Sequence, residues 1–186
     1  EGTITGGNLV ENGYLVLDHL PVSLPGTPEE PDFDWYQSRA DVILEQGLLS
    51  VDELVSGLYY TSEDLNITSS NTYQGRFIIA STGIIRIQSD LIPRDPGEDS
   101  LIIIAREIEM DPGAGEIHGS FVGSETFQAK GSWEAKNIFG TVQSRQVILS
   151  SKSTRITYRP WFVPGLAPGN RTTLYHISHW QEITPL

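Results

Sequence analysis

The chain has 186 residues, no cysteine, and 12 basic against 24 acidic residues, a formal net charge of −12. This length suits one domain with modest additions. The missing thiols exclude disulfides, thiolate metal sites and cysteine nucleophiles, and the acidic balance disfavours binding to a phosphate backbone.

The charge is unevenly spread. Residues 1–66 hold 13 acids against the single base Arg39, whereas residues 67–186 hold 11 acids and 11 bases. Isoleucine follows the opposite trend: only Ile4 and Ile43 precede residue 66, and 17 of the 19 follow it. The branched Cβ of Ile favours strands, so the second part is expected to be rich in β-structure. The opening Glu1-Gly2-Thr3-Ile4 has neither the basic nor the apolar stretch of a secretory leader. No apolar run approaches the ~18 residues of a membrane span.

In chain order, Asn12-Gly13 lies between two short apolar runs and predicts a hairpin turn. Pro21, Pro25, Pro28 and Pro31 then impose an extended, solvated connection. Asp34, with Gln37 three residues on, has the form of a capping box. Tyr36, Ala40, Ile43 and Leu44 form an apolar stripe at helical spacing that Gly47 would stop. Ser50 and Glu53 make a second capping box for a short helix ending at Gly57.

From Tyr73 to Tyr158 the chain is a series of short apolar runs cut by Gly, Ser, Asp and Asn, which read as strands. The runs recur. Phe77-Ile78-Ile79 returns as Leu101-Ile102-Ile103, and Ile85-x-Ile87 as Ile108-x-Met110. Ile117-x-Gly119-x-Phe121 returns as Ile138-x-Gly140-x-Val142, and Thr126-Phe127 as Val147-Ile148. A period of ~20–25 residues with two or three strands each is the mark of a β-solenoid.

The expectation is a mainly β protein: a β-solenoid, like a right-handed β-helix, of about four short coils over residues 76–158. Its inward residues should be Ile78, Ile85, Ile87, Ile103, Ile108, Phe121, Val142, Val147, Ile148 and Ile156, give or take one residue of phase. Three stretches of one compact domain are expected. These are an acidic strand-and-helix segment packed on the solenoid (1–72), the solenoid (73–159), and a C-terminal loop and strand brace (160–186). Within the last, Thr172 to Trp180 alternates as a strand.

Several ordered features resemble a known family. They are Asp32-Phe33-Asp34-Trp35-Tyr36 through Asp41, Arg76 to Ala80 with Gly83 to Ile87, and Ser100 to Ala105. Gly119 to Val122, Gly140-Thr141-Val142 and the closing Ser178 to Glu182 complete the set. Together they resemble bacterial minor-pilin-like, type IV pilus assembly-associated surface proteins, in which a β-solenoid ectodomain follows a hydrophobic N-terminal helix. That helix is not found in this chain. The resemblance implies a non-enzymatic structural or adhesive role at the cell surface, other assembly subunits as partners, membrane contact only through such a helix, and no catalytic residue or cofactor. Bactofilin-like polymer-forming proteins share the short-coil texture, with more uniform repeats.

A carbohydrate-active β-helix enzyme or carbohydrate-binding module is the alternative from a different class. Its carboxylates would come from Glu107, Glu109, Asp111, Glu116, Glu125 and Glu134, with Arg86 and Arg106 nearby and Trp133 or Trp161 to stack on a surface glycan. Glu107 and Glu109 flank Ile108, so both should face outward. Asp95, Glu98 and Asp99 form a compact acidic turn, a weak candidate for Ca²⁺. His176 and His179 on a strand would point to opposite faces, against a zinc site. Asn66-Ile67-Thr68 and Asn170-Arg171-Thr172 match the glycosylation triplet.

Overall fold

The computed structural model describes residues 31–158, except 71, 132–134 and 151–152. The expected Asn12-Gly13 hairpin, most of the proline-rich connection, the C-terminal strand, both tryptophans of the stacking proposal, Glu134, the two histidines and the Asn170 triplet lie outside the described residues.

The first element is a helix, α1 (Phe33–Arg39), capped by Asp32, whose carboxylate accepts from the Trp35 backbone N–H at 3.0 Å. The expected cap at Asp34 is therefore two residues late, and the expected run to Gly47 stops at Arg39. Ala40 turns extended, and Val42–Ile43 forms a strand, β1, paired with Tyr59 and Tyr60. Two β-branched residues gain ladder bonds there that a helix could not offer them. After β2 (Leu48–Ser50), the expected second helix is a single 3-10 turn over Val51–Glu53. Its Ser50 makes no side-chain cap bond.

The remaining strands are β3 (Gly57–Thr61), β4 (Leu65–Thr68), β5 (Thr72–Tyr73), β6 (Arg76–Ile87), β7 (Ile92–Pro93), β8 (Ser100–Met110), β9 (Glu116–Ala129), β10 (Ala135–Leu149) and β11 (Ser153–Tyr158). Every strand pairing among them is parallel. This is the β-solenoid that the repeats predict, with about five turns where about four coils were expected. One wall stacks Val42, Tyr59, Ile79, Ile103, Phe121 and Val142. A second stacks Leu49, Ile67, Ile87, Met110, Ala129 and Leu149. A third runs through Leu91, Ile117, Ile138 and Ile156. The coils begin ahead of residue 73, because β1 to β4 already ladder into β6. The acidic segment is thus partly solenoid, and α1 is what packs on its side.

The paired repeats match the ladder: Phe77 faces Leu101, Ile85 faces Ile108, and Gly119 faces Gly140. The last repeat is one residue out of step. Phe127 pairs with Val147, not Ile148, because the register shifts between Ser144 and Gln146.

Two apolar clusters result. The interior holds Ile85, Ile87, Ile103, Ile108, Phe121 and Val142 as expected, with Val147 and Ile156 packed against them. Ile78 and Ile148 are the exceptions among the expected inward residues. Phe77 and Ile79 take the inward places, so the two-residue period turns Ile78 outward. Likewise Val147 and Leu149 pack inward, which leaves Ile148 on the outside. Ile78 is buried all the same, in a second cluster with Leu58, Tyr60, Ala80 and Ile104 beneath Phe33, Trp35 and Tyr36 of α1. At one corner Gly119 stacks on Gly140; a Cβ at Gly119 would sit 2.6 Å from the Leu101 carbonyl oxygen, so the chain can turn this tightly only without one.

Candidate functional site

The outward charges gather on the second wall. With Ile108 and Met110 turned inward, Glu107 and Glu109 both face outward, as their alternation predicts. Glu109 is held on both sides: one oxygen lies 3.1 Å from Arg86 Nε and the other 2.8 Å from Lys130 Nζ. Arg86 also reaches Asp64 at 3.1 Å. Asp64, Arg86, Glu109 and Lys130 therefore form a ladder of alternating sign across successive turns. Asp64 is held below the usual aspartate value chiefly by the Ile84 backbone N–H and then by Arg86. Arg106 lies 3.3 Å from Glu107 and 3.9 Å from Glu125. Glu116 faces His118 at 2.7 Å.

Glycosidic acid–base chemistry needs two carboxyl groups free to meet a sugar oxygen and a water. Of the candidates, Glu107, Glu109, Glu125 and Glu116 are each engaged with a basic side chain or an imidazole. Asp111 contributes its backbone carbonyl, which accepts from Lys136 at 2.9 Å.

The acidic turn is a staple for the backbone. Asp99, 5% exposed, accepts from the Gly75 and Asp95 backbone N–H groups, each at 2.7 Å. Asp95 accepts from the Gly97 N–H at 2.8 Å, and the Glu98 carbonyl accepts from Arg76 at 3.0 Å. Asp99 thus has a backbone N–H on each oxygen, and the three side chains do not converge on one point where a Ca²⁺ could sit. Among the described residues no three His, Asp or Glu side chains form a metal-ligand group. No helix of the described residues is long and apolar enough to cross a membrane. Asn66 lies in β4 and donates its amide to the Gly47 carbonyl at 3.0 Å, so its triplet sits in a ladder and not in an open loop.

No family model matches the chain, no curated protein matches it, and no solved structure matches it.

Sequence reasoning missed a recurring device at the corners. Asp41 accepts from the Leu58 N–H (2.8 Å), Asp52 from Ser70 (2.6 Å) and Asp64 from Ile84 (2.9 Å). Asp90 accepts from both Gly115 (2.6 Å) and Glu116 (2.9 Å). Each carboxylate binds the backbone of a neighbouring turn where the chain bends and ladder bonds lapse. The available signal was an aspartate at the start or end of successive apolar runs. Lys136 was missed too. It is fully buried, and its ammonium donates to the carbonyls of Asp111, Pro112 and Ala114. A groove of about 520 Å³ opens beside the Ser69, Ser70, Ser89 and Asp90 corner. Asp52 and Asp90 are already bound to backbone there, so this groove offers a shallow hydroxyl-lined surface.

Proposed function

We propose that this chain is a non-enzymatic structural element of a bacterial cell-surface assembly, a pilus or pilus-like apparatus, in which the solenoid acts as a stiff spacer or adhesive body. The observation that carries this reading is the ladder Asp64–Arg86–Glu109–Lys130, together with Arg106 between Glu107 and Glu125. These outward charges are used on one another, as suits a body that must hold its shape. The carboxylates at the corners act to the same end by tying turn to turn. The resemblance of residues 30–182 to minor-pilin-like proteins supplies the location and the partners, which are other assembly subunits.

The test is to locate the protein in its own host with an antibody. It should be found in the sheared surface fraction and on filaments by immunogold labelling, and deleting it should alter filament number or length. Confinement to the cytosol would overturn the reading. So would cleavage of any member of a panel of neutral and acidic polysaccharides by the purified protein.

A further inference from the structure

The two ends of the described part of the solenoid differ in a complementary way. Among the described residues, the large exposed apolar side chains are Val42, Ile43, Leu48 and Val55, and all four belong to the first turn. Leu48 is 59% and Val55 77% exposed, far from the fully covered Leu65 and Ile67 one turn later. β1 pairs with β3, and β2 with β4; among the described residues no strand lies on their other edges. Among the described residues the first turn therefore presents an apolar rim and strand edges with no ladder partner, a template for strand addition.

The last described turn mirrors it. Gln146–Leu149 pairs with β9 on one side, and among the described residues no strand lies on the other. Val147, Ile148 and Leu149 are each only half-buried. Leu48-Leu49-Ser50 and Val147-Ile148-Leu149 occupy the same wall of the solenoid, at its opposite ends. Charge divides the same way. Residues 41–56 contain Asp41, Glu45, Asp52 and Glu53 and no base, while residues 140–158 contain Arg145, Lys152 and Arg155 and no acid.

We propose that a second copy of this chain stacks end to end on the first, the last turn of one copy laddering onto the first turn of the next. Three observations select this occupant. The apolar strands at the two ends lie on one wall, so they meet when the coils are stacked in line. The ladders are all parallel, so a head-to-tail joint continues the same strand polarity across the junction. Acid at one end meets base at the other, which favours head-to-tail over head-to-head contact. A joint between two different surfaces does not close on itself, so the product is an open chain of copies. This goes beyond the structural role proposed above and stands whether or not the assembly is a pilus.

Sedimentation velocity on the full chain tests it, with two end-blocked variants. Ile43→Lys/Leu48→Lys spoils the first turn, and Arg145→Glu/Ile148→Glu the last. All four side chains are exposed or half-buried, and circular dichroism melting checks that each variant folds. The unaltered chain should form multiples of the 20.6 kDa subunit that grow with concentration and shrink with added salt. Each variant alone should remain a monomer. Mixed in equal amounts, the two should give a dimer and nothing larger, because each keeps one working end. An unaltered chain that stays monomeric at every concentration in low salt would overturn the proposal. So would oligomers that persist in either variant alone, or a mixture that shows only monomers. Amide exchange on a monomeric chain would then tell whether its own residues 1–30 or 159–186 protect Leu48–Ser50 and Gln146–Leu149, and that protection would also count against the proposal.

Discussion

The turns up to residue 99 and those after residue 118 differ in one kind of brace: among the described residues, the carboxylates that accept backbone N–H groups of a neighbouring turn all come from the first region. In the first region such carboxylates are Asp41, accepting from Leu58, Asp52 from Ser70, Asp64 from Ile84 and Asp99 from Gly75, and they act beside side-chain donors to carbonyls of a neighbouring turn, Asn66 to Gly47, Ser81 to Glu63 and Thr82 to Ser62. Asp90 reaches out of this region to Gly115 and Glu116. In the second region the ties are donors to backbone carbonyls. Lys136 serves Asp111, Pro112 and Ala114, and the Ser150 hydroxyl serves Ala129 at 3.0 Å. A solenoid corner leaves both kinds of backbone group unpaired, and either can be satisfied by a side chain of the right sign. The acidity of the first part thus has a structural use besides solubility.

The two kinds of brace can be broken separately. The largest effect is expected at Lys136, which is fully buried with three carbonyls around its ammonium. Lys136→Ala leaves those carbonyls without their donor and opens a cavity. It should lower stability by about 4.5 kcal/mol or more, from three charged hydrogen bonds at about 1.5 kcal/mol or more each. Urea unfolding measures it, and a loss below about 1 kcal/mol would mean that the site relaxes around the gap or fills with water.

Asp99→Ala is the counterpart in the first region. Two N–H groups lose their acceptor at a site 5% exposed, and about 3 kcal/mol should be lost. The Gly75 amide should also exchange faster with solvent. Unchanged exchange at Gly75 would show that the turn holds without its carboxylate.

The smallest effect concerns pH. The Asp64 carboxyl is held below its ordinary value of 3.8 by the Ile84 N–H and Arg86. A depressed carboxylate adds stability that is fully present above the ordinary value and is lost as pH falls through the folded value. Asp64 is half exposed, so its share is about 0.5 kcal/mol. Compared with the unaltered chain, Asp64→Asn should be slightly less stable near neutrality and equally stable at strongly acid pH. A difference that stayed constant down to strongly acid pH would remove the charge from the explanation.

How much of this was legible in the sequence depends on which property fixes each feature. The coils were legible because an inward row must repeat at every turn: Phe77 and Leu101, Ile85 and Ile108, and Gly119 and Gly140 are true ladder partners. Phase was less legible where a run is apolar throughout. Phe77-Ile78-Ile79 has no polar residue to mark the outward position, because α1 covers that face as well. The start of the coils was hidden for another reason. Ile43 and Leu44 fit a helical stripe with Tyr36 and Ala40 locally, and only the distant pairing with Tyr59 and Tyr60 makes strand the better choice. The outward direction of Glu107 and Glu109 was readable from alternation. Their ion partners were not, since Arg86 and Lys130 reach Glu109 from other turns. The acidic turn at 95–99 looked like a possible cation site because spacing alone cannot show that Asp99 points at the backbone of Gly75, a whole turn away.

The claim that carboxylates bind the early turns together is tested most directly at Asp90, whose one oxygen serves two amides of a neighbouring turn. Amide hydrogen exchange should be followed residue by residue in the unaltered chain and in Asp90→Ala. The Gly115 and Glu116 amides should lose protection by about tenfold or more, equivalent to about 1.4 kcal/mol. The Lys130 and Ser150 amides, bonded to backbone carbonyls in the donor-braced region, should keep theirs. Equal protection of Gly115 and Glu116 in both proteins would contradict the account.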